Sequence, residues 1–266
     1  MLEYSDKRKE MLDGGRVLVW FSCGATSAVA AKIALDKYQG IKPVEVLYCD
    51  TGSEPKSNRV FLRDVEKWLG CKIKILKNRE YKDHFDLIKK TKHINKGGIY
   101  LCTTYLKKTL RHRYEDVLHD IQVFGFDPSE IARIERFYAA NKEVYLELPL
   151  IEHGLTKDDC LAILKSVGIR LPEAYLPQKS GSPYKHANCI GCIKGSAKYW
   201  GKIRVDYPNV FRKMSKLEDE LNQCVVKYQG QWTRLKDLPL DIADEDTEYD
   251  TECSLLCDLT LESFKK

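Results

Sequence analysis

Residues 16–32 read RVLVWFSCGATSAVAAK. Val17 to Phe21 is an unbroken apolar run, short and rich in β-branched and aromatic residues. Such a run predicts a strand of a parallel sheet, buried on both faces. Ser22-Cys23-Gly24-Ala25-Thr26-Ser27 follows, built almost entirely of small residues, and Ala28 to Leu35 supplies a helix. The order strand, small loop, helix aims backbone N–H groups and the positive end of a helix dipole at whatever sits over the loop. Ser22, Thr26 and Ser27 add hydroxyl donors, and small side chains let an anion approach the backbone. The pattern suits a phosphate or pyrophosphate; a tight turn that binds nothing is the plainer alternative. A Walker loop is excluded, because no Gly-Lys-Ser/Thr ends the segment.

Outward from this stretch the same alternation repeats. Val44 to Cys49 is a second apolar strand, ending in Asp50-Thr51-Gly52-Ser53-Glu54. An acidic residue at the end of a second parallel strand is placed to contact a nucleoside; otherwise Asp50 and Ser53 form a turn and cap the next helix. Asn58 to Leu69 has one apolar face, Val60, Phe61, Val65, Trp68 and Leu69, and Gly70 stops it. A short strand is expected over Lys72–Leu76, a helix over Tyr81–Lys90, strands over Ile121–Phe126 and Glu143–Leu148. Cys102 is expected at the mouth of a helix, where a dipole favours thiolate. Lys107, Lys108, Arg111 and Arg113 follow on it, as a solvated face or an anion-facing one. Four or five β-α units before residue 150 predict an α/β fold with a mostly parallel, doubly wound sheet. Ligands on such sheets bind at the C-terminal strand ends, where all these residues fall.

From Thr156 the character changes: a capped helix to Val167, then a Pro-punctuated stretch, then His186-Ala187-Asn188-Cys189-Ile190-Gly191-Cys192. Lys198–Leu221 shows helical spacing broken near Pro208. The expected division is a nucleotide-binding α/β domain over 1–155 and a C-terminal helical and irregular region over 156–266, its cysteines packing back on the first part.

Ten cysteines in a chain of 266 residues suggest thiols, with a clustered subset held by metal. Cys189 and Cys192 form a C-x-x-C knuckle of the kind found in zinc and iron–sulfur sites. Cys102 upstream and Cys253 or Cys257 downstream could complete four ligands. Cys23, Cys49, Cys71, Cys160 and Cys224 sit in apolar patterns and are expected to pack. No run approaches the ~20 apolar residues of a membrane span, and the charged N-terminus MLEYSDKRKEMLDGG has no apolar signal core. The cytoplasm is the expected compartment. A net charge of +5 permits a nucleic-acid partner without requiring one.

The loop resembles the Ser-Gly-Gly-x-Asp-Ser PP-loop of the adenine-nucleotide α-hydrolase superfamily, and the chain is similar to its phosphoadenylyl-sulfate (PAPS) reductase-like members from about Arg16 to Cys257. Ser22, Gly24 and Ser27 fall on the motif; Cys23 replaces the first Gly and Thr26 the Asp. The Asp50-Thr51-Gly52 turn, the Cys-Thr-x-x-Leu-Lys segment at Cys102 and the C-x-x-C-x-Lys-Gly run at Cys189 also resemble the family. The resemblance implies an enzyme acting on an adenine nucleotide, ATP or PAPS/APS, in sulfur transfer or reduction. An ATP pyrophosphatase that adenylates an acceptor, and a binding module that has lost catalysis, are its two alternatives. It implies an anion and nucleotide site at Ser22, Cys23, Gly24, Thr26, Ser27, Asp50, Gly52, Lys107, Arg111, Gly125 and Arg133, with Glu130 beside them. It implies a [4Fe–4S] cluster, zinc being the alternative, on Cys102, Cys189, Cys192 and Cys257, with Cys253 as the other choice of fourth ligand. Glu252-Cys253 matches the Glu-Cys of the reductase tail, which makes Cys253 the implied nucleophile and an electron-donor or sulfur-donor protein the implied partner.

Overall fold

The computed structural model describes residues 9, 10, 12–95 and 99–244. Strand β1 (Val17–Phe21) is followed by helix α1 (Ala25–Tyr38), β2 (Val44–Asp50), α2 (Ser57–Leu69), β3 (Ile73–Lys77) and α3 (His84–Thr91). Helix α4 (Leu101–Thr103) runs through a π-turn (Thr104–Lys108) into α5 (Thr109–Tyr114). Then come β4 (Ile121–Phe124), α6 (Ile131–Ala140), β5 (Tyr145–Glu147), α7 (Pro149–Glu152) and α8 (Lys157–Ser166). The C-terminal part holds α9 (Ala197–Asp206), α10 (Pro208–Leu221) and the antiparallel hairpin β6 (Val226–Tyr228) and β7 (Gln231–Thr233).

The five large-sheet strands lie in the order β3-β2-β1-β4-β5. The sheet is parallel, with Val19 of β1 opposite Val46 of β2 and Val123 of β4, and helices cover both faces. Strand β1 is buried at every position, as its unbroken apolar run requires. The strand order reverses between β1 and β4, and the crevice outside such a switch point is where this architecture binds ligands.

The chain divides into two compact units, and not by one cut after residue 155. The first comprises residues 1–49, 56–76 and 110–172; the second comprises 50–55, 77–109 and 173–266. The difference has a packing cause. Cys160 and Leu164 of α8, with Ile169, belong to the same buried core as Val19, Phe21, Ala30 and Val65, so 156–172 stays with the sheet. Phe85, Ile88 and Ile94 instead share a core with Trp200, Met214 and Leu235. Pro208 begins α10 and separates it from α9, as expected at a residue that cannot continue a helix. Among the described residues, no helix is long and apolar enough to cross a membrane.

Candidate nucleotide and cysteine sites

In the first unit, the loop after β1 closes on its own hydroxyls. The Ser22 N–H and Oγ both reach Ser27 Oγ at 3.1 Å, and Ser27 Oγ donates to the Gly24 carbonyl at 3.0 Å. Cys23, where the PP-loop carries Gly, adopts a left-handed conformation at φ 58°. Its buried sulfur lies 3.8 Å from the Asn58 carbonyl. Gly24 is the N-cap of α1, and no acidic residue occupies the first turn at that positive end. Thr26 is half-buried. Gly125, directly after β4, presses on this loop: a Cβ there would lie 2.6 Å from Ser27 Cα and N. The loop and Gly125 thus meet at the switch point of the sheet.

Arg133 and Arg111 are held within the same unit. Arg133 pairs with Glu130 at 2.5 Å and lies over the Phe126 ring at 5.1 Å. Glu130 closes a capping box with Asp127, the N-cap of the turn that leads into α6. Arg111 is buried and pairs with Glu115 at 3.2 Å, over the Phe137 ring. Burial pulls its pKa down and Glu115 opposes that shift.

In the second unit, the turn after β2 is tightly determined. Asp50 Oδ1 accepts the Gly52 N–H at 2.9 Å and Oδ2 meets Lys77 Nζ at 3.2 Å. Gly52 sits at φ +70°, and a Cβ there would lie 2.0 Å from the Lys82 carbonyl oxygen, so only glycine fits. Ser53 does not cap α2; its hydroxyl accepts the His84 N–H at 3.1 Å and meets His84 Nδ1 at 2.6 Å. Its carbonyl accepts the Ile190 N–H at 3.0 Å.

Cys102, Cys189 and Cys192 line one recess, with Thr51, His84 and Lys107. Leu106 and Ile193 are its apolar walls. Cys102 stands in the first turn of α4, as expected, and the π-turn places Lys107 in the recess, almost wholly buried. The knuckle is pinned from outside. Tyr199 Oη accepts the Gly191 and Cys192 N–H groups at 2.9 and 3.0 Å and donates to the Cys189 carbonyl at 3.0 Å. Gly195 makes room for it, since a Cβ there would lie 2.0 Å from the Tyr199 ring. Cys189 Sγ is 3.1 Å from Thr51 Oγ1. Among the described residues the buried His84 Nε2 has no hydrogen-bond partner, and burial drags the imidazole down to about 4.

Among the described residues, no three His, Cys, Asp or Glu side chains gather round the position of a single ion. Cys102, Cys189 and Cys192 nevertheless share one recess with an apolar wall, and thiols are the ligand type that iron–sulfur groups select. Cys253 and Cys257 lie outside the described residues. Cys23, Cys49 and Cys160 are buried in packing roles, and Cys71 and Cys224 are half-buried. Burial pushes the Cys160 thiol up to about 12. His84, Thr51 and Tyr199 escape the sequence reading of the site. The one signal for them is their place in or near the Asp-Thr-Gly and C-x-x-C motifs.

No protein-family model matches the chain, and no curated protein does. Among solved structures, the chain is similar to the phosphoadenylyl-sulfate (PAPS) reductase from Candida auris, a phosphate complex. Identity there is 15% and the TM-score 0.44, over 70% of this chain and 98% of that one. It is also similar to the U34-tRNA thiolase NcsA from Methanococcus maripaludis with its [4Fe-4S] cluster. Identity there is 13% and the TM-score 0.44, over 91% of this chain and 88% of that one.

Proposed function

We propose that this chain is a PAPS-reductase-like enzyme of the PP-loop type, acting on an adenine sulfonucleotide in sulfur transfer or reduction. The observation that carries this reading is the recess lined by Cys102, Cys189 and Cys192 beside the Asp50-Thr51-Gly52 turn. The loop at Ser22, Cys23, Gly24, Thr26 and Ser27, with Gly125 against it, receives the anionic end of the nucleotide. Asp50 and Gly52 serve the nucleoside; Lys107, Arg111 and Arg133 supply positive charge. Thr26 gives that loop a hydroxyl where the PP-loop has a carboxylate, which favours a sulfonucleotide over metal-assisted cleavage of ATP.

Cys102, Cys189 and Cys192 would hold a [4Fe–4S] cluster, with Cys257 as fourth ligand. When bound, the cluster supplies soft Lewis-acidic iron able to hold sulfur. Cys253 is the proposed nucleophile. Its thiolate attacks the sulfonate sulfur; an S–S bond forms while the S–O bond to the nucleotide breaks, and that electron pair leaves with the nucleotide phosphate. A dithiol donor protein then attacks the cysteine S-sulfonate, releases sulfite and ends as a disulfide, restoring the Cys253 thiol.

Anaerobic purification with iron, sulfide and zinc analysis, followed by incubation with PAPS, APS and ATP, tests the reading. Iron and sulfide near four per chain and dithiol-dependent sulfite release are expected for a [4Fe–4S] reductase. Pyrophosphate release from ATP would replace it with the adenylating reading, and tight nucleotide binding without turnover would replace it with the binding module.

A further inference from the structure

Thr51 is almost fully buried, and its hydroxyl has two neighbours. The Ser53 N–H lies 3.3 Å from Oγ1, and Cys189 Sγ lies 3.1 Å away. An N–H can only donate, so at Ser53 the hydroxyl is an acceptor and keeps its own proton to give. A metal-bound cysteine is a thiolate and can only accept. In the loaded protein, therefore, the Thr51 O–H is directed at the Cys189 sulfur. The N–H groups of the knuckle are engaged elsewhere: Gly191 and Cys192 donate to Tyr199 Oη, and Ile190 donates to the Ser53 carbonyl.

Hydrogen bonds to ligating sulfurs orient the ligand and withdraw charge from it, and so raise the reduction potential of the group it binds. We propose that Thr51 is a positioning residue for the metal-bound Cys189 thiolate, donating the hydrogen bond that orients this sulfur and raises the potential of the cluster. The inference rests on the cluster reading above and adds to it a named donor. The same hydroxyl belongs to the Asp50-Thr51-Gly52 turn, so the conformation of that turn sets whether the bond is made.

The test uses the full chain, purified anaerobically as parent, Thr51→Val and Thr51→Ser. Iron and sulfide are measured first, and a redox titration followed by electron paramagnetic resonance second. Valine keeps the branched shape and loses the hydroxyl; serine keeps the hydroxyl. Expected are equal iron in all three proteins, a more negative midpoint and shifted g-values for Thr51→Val, and parental values for Thr51→Ser. Loss of iron from Thr51→Val with retention in Thr51→Ser would support the same role, the hydroxyl then being needed to hold the ligand. A fully loaded Thr51→Val at the parental potential overturns the inference and leaves the cluster reading standing. Equal losses in both variants also overturn it, because shape rather than the hydroxyl would then matter. A parent without iron, empty or holding zinc, overturns the cluster reading and this inference together.

Discussion

Gly125 has no side chain, and that absence shapes the switch point of the sheet. A methyl group there would lie within 2.7 Å of the Ser27 and Thr26 backbone, which cannot give way as a flexible side chain does. Gly125→Ala should therefore displace the loop, weakening nucleotide binding by about tenfold or more, a difference of ~1.4 kcal/mol. Calorimetry with PAPS and ATP would show it, and parental affinity would place the anion site elsewhere. Gly52→Ala meets both a left-handed backbone and the Lys82 carbonyl. It should cost about 2–4 kcal/mol in urea unfolding, strain and overpacking together. Glu218 is a different kind of residue. Burial raises its pKa to about 7, although its carboxylate accepts the Val225 and Leu235 N–H groups at 2.7 and 2.8 Å. A carboxyl with a folded pKa above its unfolded one stabilises below the unfolded value. Its contribution is lost as pH rises through about 7. Unfolding midpoints should thus fall between pH 5 and pH 8, and Glu218→Gln should flatten that slope; an unchanged slope would refute the assignment.

At the scale of elements, the cysteine knuckle depends on α9. Tyr199→Phe keeps the ring that Gly195 accommodates and removes the three hydrogen bonds that Tyr199 Oη makes to the Gly191 and Cys192 N–H groups and the Cys189 carbonyl. A loss of about 2–4 kcal/mol is expected, with faster hydrogen exchange at residues 191 and 192; unchanged exchange there would show that the pin is dispensable. How much of this was legible in the sequence follows from what each element is made of. Strands β1, β2 and β4 announce themselves as apolar runs, and Pro208 announces the break between α9 and α10, because both signals are local. The hairpin of β6 and β7 has three residues a side, and only Val226 of its six is buried, so no period shows. Lys107 and Arg111 read as part of a solvated or an anion-facing basic face, and the sequence does not show that both are buried. The π-turn inserts a residue into the helical register, which a 3.6-residue periodicity cannot reveal. At Cys23 the small-residue loop was legible and its left-handed backbone was not, since cysteine is not a residue that marks such a conformation.

For the whole molecule, the interleaving of the two units governs what can be cut. A fragment ending at residue 155 would lack Cys160, Leu164 and Ile169 from the core that holds the sheet. It would also carry 77–109 without the residues after 173 that complete their unit. Such a fragment should fail to unfold cooperatively in circular dichroism, whereas the full chain should do so; a sharp transition from the fragment would show that the sheet unit tolerates the cut.

The same interleaving has a cost during synthesis. Phe85, Leu87, Ile88 and Ile94 leave the ribosome long before Trp200, Met214 and Leu235, the last three of which bury their neighbours Phe85, Ile88 and Ile94. At bacterial-to-eukaryotic elongation rates the wait is on the order of ten seconds. Through that interval a greasy stretch with no finished core beside it must be shielded, and Cys102 waits with it as a bare thiol. Holding chaperones are thus expected on the nascent chain between about residue 110 and the emergence of Leu235, and any metal must be inserted after translation has passed the knuckle.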